Sequence, residues 1–318
     1  MTEPSPDLAP LFARMAAQIA RRAPLEELNE TAVPGLCLYK ASQINAPRFC
    51  AQWPTLVLMA QGAKSMMLGQ ETFRYGVGDF MVVSMDLPII SAIIEASPEK
   101  PLLSVGIALR PERLRAMLDL GGPLPRSESA EGLRGVGVSR ISAPLLDATM
   151  RYLDLLDAPA DIPALAPLIE QEIFYRLLTG PYGPRLIQNM TMDSPANRVG
   201  RAINWLRENY GQTLRIEGLA AHVGMSVSSL HHHFRAITAM TPMQYQKQLR
   251  LNEARRLMLV DEMDVGSAAF AVGYASRSQF GLEYARHFGT SPSRDIAALR
   301  AGAGLPPVMT PPIPALRG

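Results

Sequence analysis

Two short stretches in the last third of the chain carry the side chains best suited to chemistry, and they repeat each other at a spacing of fifty positions. The first holds Ser228, Ser229, His231, His232 and Arg235; the second holds Arg277, Ser278, Gln279, Gly281, Leu282 and Arg286. Apolar residues interleave them at helical spacing, Leu230 and Phe234 in one, Phe280, Tyr284 and Phe288 in the other. A helix through either stretch therefore buries one face and turns the named residues outward. Hydroxyls, imidazoles, amides and guanidinium groups on such a face can pair with base edges in a major groove, and Arg277 has the fork that matches guanine. The chemistry implied is recognition of double-stranded DNA.

Competing chemistries find less support. The run His231-His232-His233 invites a metal reading, but successive helical residues point about 100° apart, so three in a row do not converge on one ion. All five histidines lie at or beyond His222, so the N-terminal half has none to offer as metal ligands. Its carboxylates Asp79, Asp86 and Glu95 are scattered and read as solvated turn or strand-end residues. A Ser-His-Asp triad would have to borrow its base from the DNA-facing third, and no G-x-x-x-x-G-K phosphate loop occurs. Neither catalytic residues nor a cofactor are expected, and no metal. Cys37 and Cys50 make neither a C-x-x-C pair nor a disulfide framework, so they are expected to stay thiols.

The elements that must position the two faces are legible around them. Ile216 to Val223 reads as a short bracing helix with Leu219 and Ala220 inward, Gly224 as a tight turn and Ser226 as the cap of the reading helix. Val265 to Val272, Gly273 and Ser276 repeat that order, and Ser276 with Gln279 has the spacing of a capping box. Between them Met243 to Val260 is periodic in Tyr245, Leu249, Leu251, Ala254, Leu257 and Met258, a long helix able to hold both units. Charge agrees: from Ala196 to Arg300 there are 13 basic against 8 acidic side chains, although the whole chain is only +2.

The first half follows other rules. Leu8 to Arg22, with Asp7 to cap it, predicts an amphipathic helix serving as a lid or dimer element. Val33 to Leu109 is a series of short Val, Ile, Leu and Met runs broken by Gly and Pro, an antiparallel β region expected to close as a barrel or jelly roll. Ser65–Leu68 and Thr72–Tyr75 flank Gly69-Gln70-Glu71 as a hairpin. A helix opens at Pro111 with Leu114, Met117 and Leu118 on one face, and Gly121 to Gly137 reads as a loop. Two further helices follow, one capped by Ser142 with Leu145, Leu146, Met150, Leu153 and Leu156. The other opens at Asp161 and Pro163 with Leu165, Leu168, Ile169, Ile173 and Leu177, and ends at Gly180-Pro181. Such leucine stripes suit either a core or a dimer seam. Tyr39, Trp53, Gln61 and Met81 are candidates to line a ligand pocket within the β region, or equally to fill it.

At 318 residues there is room for two domains. The expected division is a helical arm over 1–32, a sensor and dimerisation domain over 33–180, a linker over 181–194, a DNA-binding domain over 195–300 and a disordered tail over 301–318. No uncharged apolar run reaches membrane-spanning length, since Asp79, Asp86 and Glu95 interrupt the most apolar region. The polar start with Glu3 is unlike a secretory leader, so the cytoplasm is the expected compartment.

Taken together, Leu219-Ala220, Gly224-Met225-Ser226, Leu230, Phe234, Thr241-Pro242, Tyr245, Arg250-Leu251 and Ala254, followed by Gly273-Tyr274, Ser276, Gln279-Phe280, Phe288-Gly289 and Ser291-Pro292, resemble the AraC/XylS transcription regulators. Asp295 departs from that pattern, standing where an aromatic residue is usual, as does Gly281 in place of a polar residue, and Gly218 weakens its helix by about 1 kcal/mol relative to alanine. Pro54, Leu56, Gln61-Gly62, Lys64, Leu68-Gly69, Tyr75, Gly78-Asp79 and Asp86-Leu87-Pro88 are similar to the cupin-type sensor domain of one branch of that family, from Val33 to about Leu178. The resemblance implies an α+β chain: a cupin-like β-barrel with a helical dimerisation element, then an all-α domain with two helix-turn-helix units joined by a long helix. It also implies a sequence-specific transcriptional regulator, an activator in sign, that works as a homodimer with DNA and RNA polymerase and answers to a small-molecule effector. The alternatives are a cupin-type enzyme, metal-dependent or metal-independent, and an effector-free architectural DNA-binding protein.

Overall fold

The computed structural model describes residues 6–45, 47–119, 134–190 and 194–301. The chain divides into two compact units, the first holding 1–48 and 52–197, the second holding 49–51 and 198 onward.

The first unit is built on β1 (Glu27–Glu30), β2 (Leu36–Ala41), β3 (Arg48–Gln52), β4 (Thr55–Gln61), β5 (Ala63–Leu68), β6 (Glu71–Gly76), β7 (Asp79–Val83), β8 (Leu87–Glu95), β9 (Leu102–Ala108) and β10 (Val136–Arg140). Among the described residues the strands do not close into the expected barrel. The strands instead make a six-stranded sheet ordered β1-β2-β9-β4-β7-β10 and a four-stranded sheet ordered β3-β8-β5-β6. The chain leaves the larger sheet just after a register shift between Met59 and Gln61, turning at Gly62 with φ +77° into β5 of the smaller one. A corner of this kind lets consecutive strands belong to different sheets, so the ladder does not run on to close.

Alternation along the larger sheet explains what covers it. Leu36, Leu38, Leu56, Leu58, Phe80, Val82, Leu103, Val105 and Ile107 share one core with the helices of this unit. Those helices are α1 (Ala9–Arg22), α2 (Pro111–Asp119), α3 (Ala143–Asp154), α4 (Ile162–Thr179) and α5 (Gly183–Met190). Helix α1 places Phe12, Met15 and Ile19 in that core, so its apolar face is used within the unit. Its start differs from the expectation, because Pro6–Leu8 form a separate 3-10 turn, Leu8 holds the cap position and no side chain caps the helix. Ser142 and Asp161 do stand at the cap positions of α3 and α4, but neither makes a capping hydrogen bond. Glu170 of α4 is buried against Arg110 and Arg113, and the Tyr152 hydroxyl of α3 donates to the Pro34 carbonyl at 3.1 Å.

Several expectations need correcting. Leu145, Leu146, Met150 and Leu153 are buried in the core and Leu156 packs against it partly buried, so that stripe serves the core of this unit. On α4 the buried line is Ile162, Ala166, Ile169, Ile173, Phe174 and Leu177, which leaves Leu165 and Leu168 exposed, at 42% and 62%. The segment read as a linker over 181–194 is largely helix α5, with Tyr182 and Leu186 buried; its residues 191–193 lie outside the described ones. The loop read over Gly121–Gly137 falls mostly on 120–133, also outside, and its last residues belong to strand β10, paired with β7. In the hairpin Glu71 is already in strand, opposite Leu68. Asp79 is not solvated: its carboxylate accepts the Gly76 amide at 3.2 Å and pairs with Arg140 at 2.9 Å. The tail over 301–318 lies outside the described residues from 302 on.

The second unit contains α6 (Pro195–Glu208), α7 (Ile216–His222), α8 (Val227–Thr238), α9 (Pro242–Leu259), α10 (Val265–Ala271), α11 (Arg277–Phe288) and α12 (Pro292–Arg300). Thr241 and Gln244 make a reciprocal capping box that fixes the start of α9. At Ser276 the structure shows one half of the expected box, the hydroxyl accepting the Gln279 amide at 3.4 Å. The inward face of α9, with Leu251, Ala254 and Met258, joins Ala268, Val272, Phe280 and Tyr284 in one core.

Candidate nucleic-acid interface

Helices α8 and α11 are each positioned by a cap, a turn and an arginine from an earlier helix. The Ser226 hydroxyl accepts the Ser229 amide at 3.2 Å and starts α8, as Ser276 starts α11. The turns before them pass through Gly224 and Gly273, with φ +68° and +87°. At Gly273 a Cβ would lie 2.2 Å from the Gly211 carbonyl oxygen, so only glycine fits there. Arg198 of α6 donates to the Gly224 carbonyl and Arg201 to that of Val223 at 3.0 Å. Arg250 of α9 does the same for the second turn, donating to Gly273 at 3.1 Å while also holding the Tyr210 and Gln212 carbonyls at 2.6 and 2.8 Å. Gln246 adds bonds to those last two carbonyls. Otherwise orphaned carbonyls are thus satisfied, and the helix-to-helix angle is set by charge-assisted bonds.

Most positions fall on the faces the spacing predicts, although Phe288 and Gly281 are both half-buried. Leu230 and Phe234 of α8 are buried, while Ser228, His232 and Arg235 are exposed and Ser229 and His231 half-buried. On α11 Phe280 and Tyr284 are buried, and Arg277, Ser278, Gln279, Leu282 and Arg286 are all exposed. The His232 and His233 rings meet edge to face at 5.0 Å, and burial lowers the His233 pKa, with His232 adding to the effect. Among the described residues no three His, Cys, Asp or Glu side chains gather as a metal site.

Arg277 starts α11 beside the preceding helix. Asp264 caps that helix through the Ser267 hydroxyl and the Ser267 and Gly266 amides, bonds that hold its carboxyl below the usual range, with the Arg277 charge adding to them. The Arg277 side chain is exposed at the start of α11.

One functional feature escaped the sequence reading. Asp295 of α12 is buried, receives Arg255 of α9 in a two-pronged pair at 2.8 and 3.0 Å, and accepts the Tyr284 hydroxyl at 2.6 Å. Arg255 also stacks on Phe288, 4.5 Å from its centroid. The departure at Asp295 is thus compensated by Tyr284, and the two tie α11 to α12 and α9. A tyrosine at the inward position of α11 was the available signal.

The four ligand candidates differ in their surroundings. Met81 is buried, the Gln61 amide donates to the Pro101 carbonyl at 2.7 Å, and Trp53 is half-buried. The Tyr39 ring lies under the Lys64 ammonium at 3.4 Å. Cys37, near Lys64 on the same strand as Tyr39, is pushed up to about 11 by burial, so its thiol stays protonated.

A helical unit with two capped, outward-facing helices after a two-sheet unit defines a DNA-binding regulator. A family model described as the AraC-type transcriptional regulator N-terminus matches residues 32–185, and a helix-turn-helix domain model matches 219–297. The chain belongs to the AraC/XylS family of transcriptional regulators. The transcriptional activator RhaS of Escherichia coli O81 (strain ED1a) is 24% identical over 192 residues, 60% of this chain and 67% of that protein. ToxT from Vibrio cholerae O395 superposes with a TM-score of 0.53 at 9% identity, covering 85% of this chain and 98% of that one. The unsaturated fatty acid bound form of ToxT from strain SCE256 gives a TM-score of 0.51 at 8% identity, over 82% and 94%. At such identities the likeness shows the fold. No helix among the described residues is long and apolar enough to cross a membrane.

Proposed function

We propose that this regulator reads DNA with α8 and α11 together, entering successive major-groove turns about 34 Å apart, and activates transcription from the bound site. The observation that carries the proposal is the matched pair of serine-capped helices with aromatic residues buried and polar or basic residues turned out. Ser228, Ser229, His231 and His232 contact one set of bases and Arg277, Ser278, Gln279 and Leu282 the other, while Arg235 and Arg286 hold phosphates. Activation, by contact with RNA polymerase, follows the sign printed for RhaS. The working form is a homodimer joined through the exposed Leu165 and Leu168 of α4.

The first unit takes a small-molecule effector, which shifts the DNA-binding equilibrium through its preference for one state; the unsaturated fatty acid bound form of ToxT supports a small-molecule ligand. A second reading, DNA binding without an effector, is favoured by the buried Met81 and the tied-down Gln61 amide. Selection of bound duplexes from a random pool tests the central claim. A bipartite site spanning about two major-groove turns supports it, and recovery of no preferred sequence contradicts it.

A further inference from the structure

Helix α11 has two outward residues that polar base reading does not explain. Leu282 is 64% exposed, in line with Ser278 and Arg286 and opposite Phe280 and Tyr284. Beside it, Gly281 sits within the helix where an added Cβ would meet nothing within 4 Å, and its backbone is not left-handed. A glycine with open space and ordinary dihedrals weakens a helix for no internal reason. The remaining reason is an external surface that must approach the helix backbone closely. The corresponding positions on α8 are His231 and His232, so of these two helices α11 presents an apolar side chain next to a bare backbone.

We propose that Gly281 and Leu282 make α11 a reader of thymine: the missing side chain lets the helix settle toward the base edges, and Leu282 packs on the C5-methyl group of one thymine. In the major groove that methyl is the one apolar feature a base pair offers, and apolar side chains are its natural partners. Flanking Arg277 and Arg286 supply the charge that brings a phosphate backbone to this face. This inference rests on the DNA-reading role given to α11 above.

The test is selection of bound duplexes followed by titration. The full chain is expected to select a thymine at one fixed position of the half-site read by α11. Replacing that thymine with deoxyuridine, which removes only the methyl group, is expected to weaken binding about fourfold. Leu282→Ala is expected to bind the two duplexes equally and to lose the thymine preference. Gly281→Ala is expected to melt at a higher temperature than the parent yet bind the same duplex more weakly, a pairing that a merely structural glycine does not give. Equal affinity of the parent chain for thymine and deoxyuridine duplexes, with a selected site still present, overturns the thymine assignment alone. Failure to select any sequence overturns the DNA-reading role of α11 and this inference with it.

Discussion

Fifty positions separate Phe234 from Tyr284, and the same fifty separate Tyr245 from Asp295. Between α8 and α9 the pair is aromatic, with the Phe234 and Tyr245 rings edge to face at 5.6 Å. Between α11 and α12 the equivalent pair is a hydroxyl donating to a carboxylate at 2.6 Å, completed by Arg255. One slot between neighbouring helices is thus filled by dispersion and ring electrostatics in one place and by a buried ionic cluster in the other. The lesson concerns tolerance. An apolar contact degrades gradually when a group is trimmed, whereas a buried ion pair fails abruptly when one partner goes and leaves a charge unmatched.

The largest effect that sharpens this comparison is Asp295→Ala, which strands the Arg255 guanidinium in the core and is expected to cost about 3–5 kcal/mol in urea unfolding. Replacing Arg255 and Asp295 together by apolar residues of like volume is expected to recover most of that loss; additive losses would break the ionic account. Next comes DNA recognition itself. Arg277→Ala is expected to lose about 1–3 kcal/mol on the preferred site and to relax one base position, whereas Arg235→Ala is expected to weaken all duplexes alike and reduce the salt slope by about one. Identical selectivity in Arg277→Ala and the parent would remove Arg277 from base reading.

Acid is expected to act on the second unit. Burial, helped by Arg255 and Lys247, lowers His287 to about 4, so the native state keeps it neutral where the unfolded chain already binds a proton. A depressed histidine therefore contributes stability that is present above the ordinary imidazole value of about 6.5 and lost as pH falls toward about 4. His287→Gln is expected to flatten the stability profile across that window, and an unchanged slope would exclude this residue as its source. The smallest effect is of opposite sign: Gly281→Ala is expected to stabilise the chain by about 0.5–1 kcal/mol in thermal unfolding.

What the sequence disclosed was local, and what it concealed depended on distant partners. The two caps at Ser226 and Ser276, the turns at Gly224 and Gly273 and the buried aromatic lines are each specified within a dozen residues, so spacing alone revealed them. Strand β10 and helix α5 were missed together for one reason. Gly137 looks like loop composition, but a Cβ there would lie 2.0 Å from the Tyr182 ring, so the glycine marks close packing between the two elements. Pro184 looks like a helix breaker, yet it sits in the first turn of α5, where a missing amide hydrogen costs little. The split into two sheets was hidden because alternation specifies faces but not which strands share a ladder. Asp295 read as a departure because Arg255 lies forty positions away and Tyr284 on another helix.

Hydroxyl-radical footprinting of the full chain on its selected duplex, repeated with Arg277→Ala, tests the paired-helix account most directly. The account predicts two protected patches on one face of the duplex, about 10–10.5 base pairs apart, with the variant weakening one patch and leaving the other. A single patch, or equal weakening of both, would contradict it.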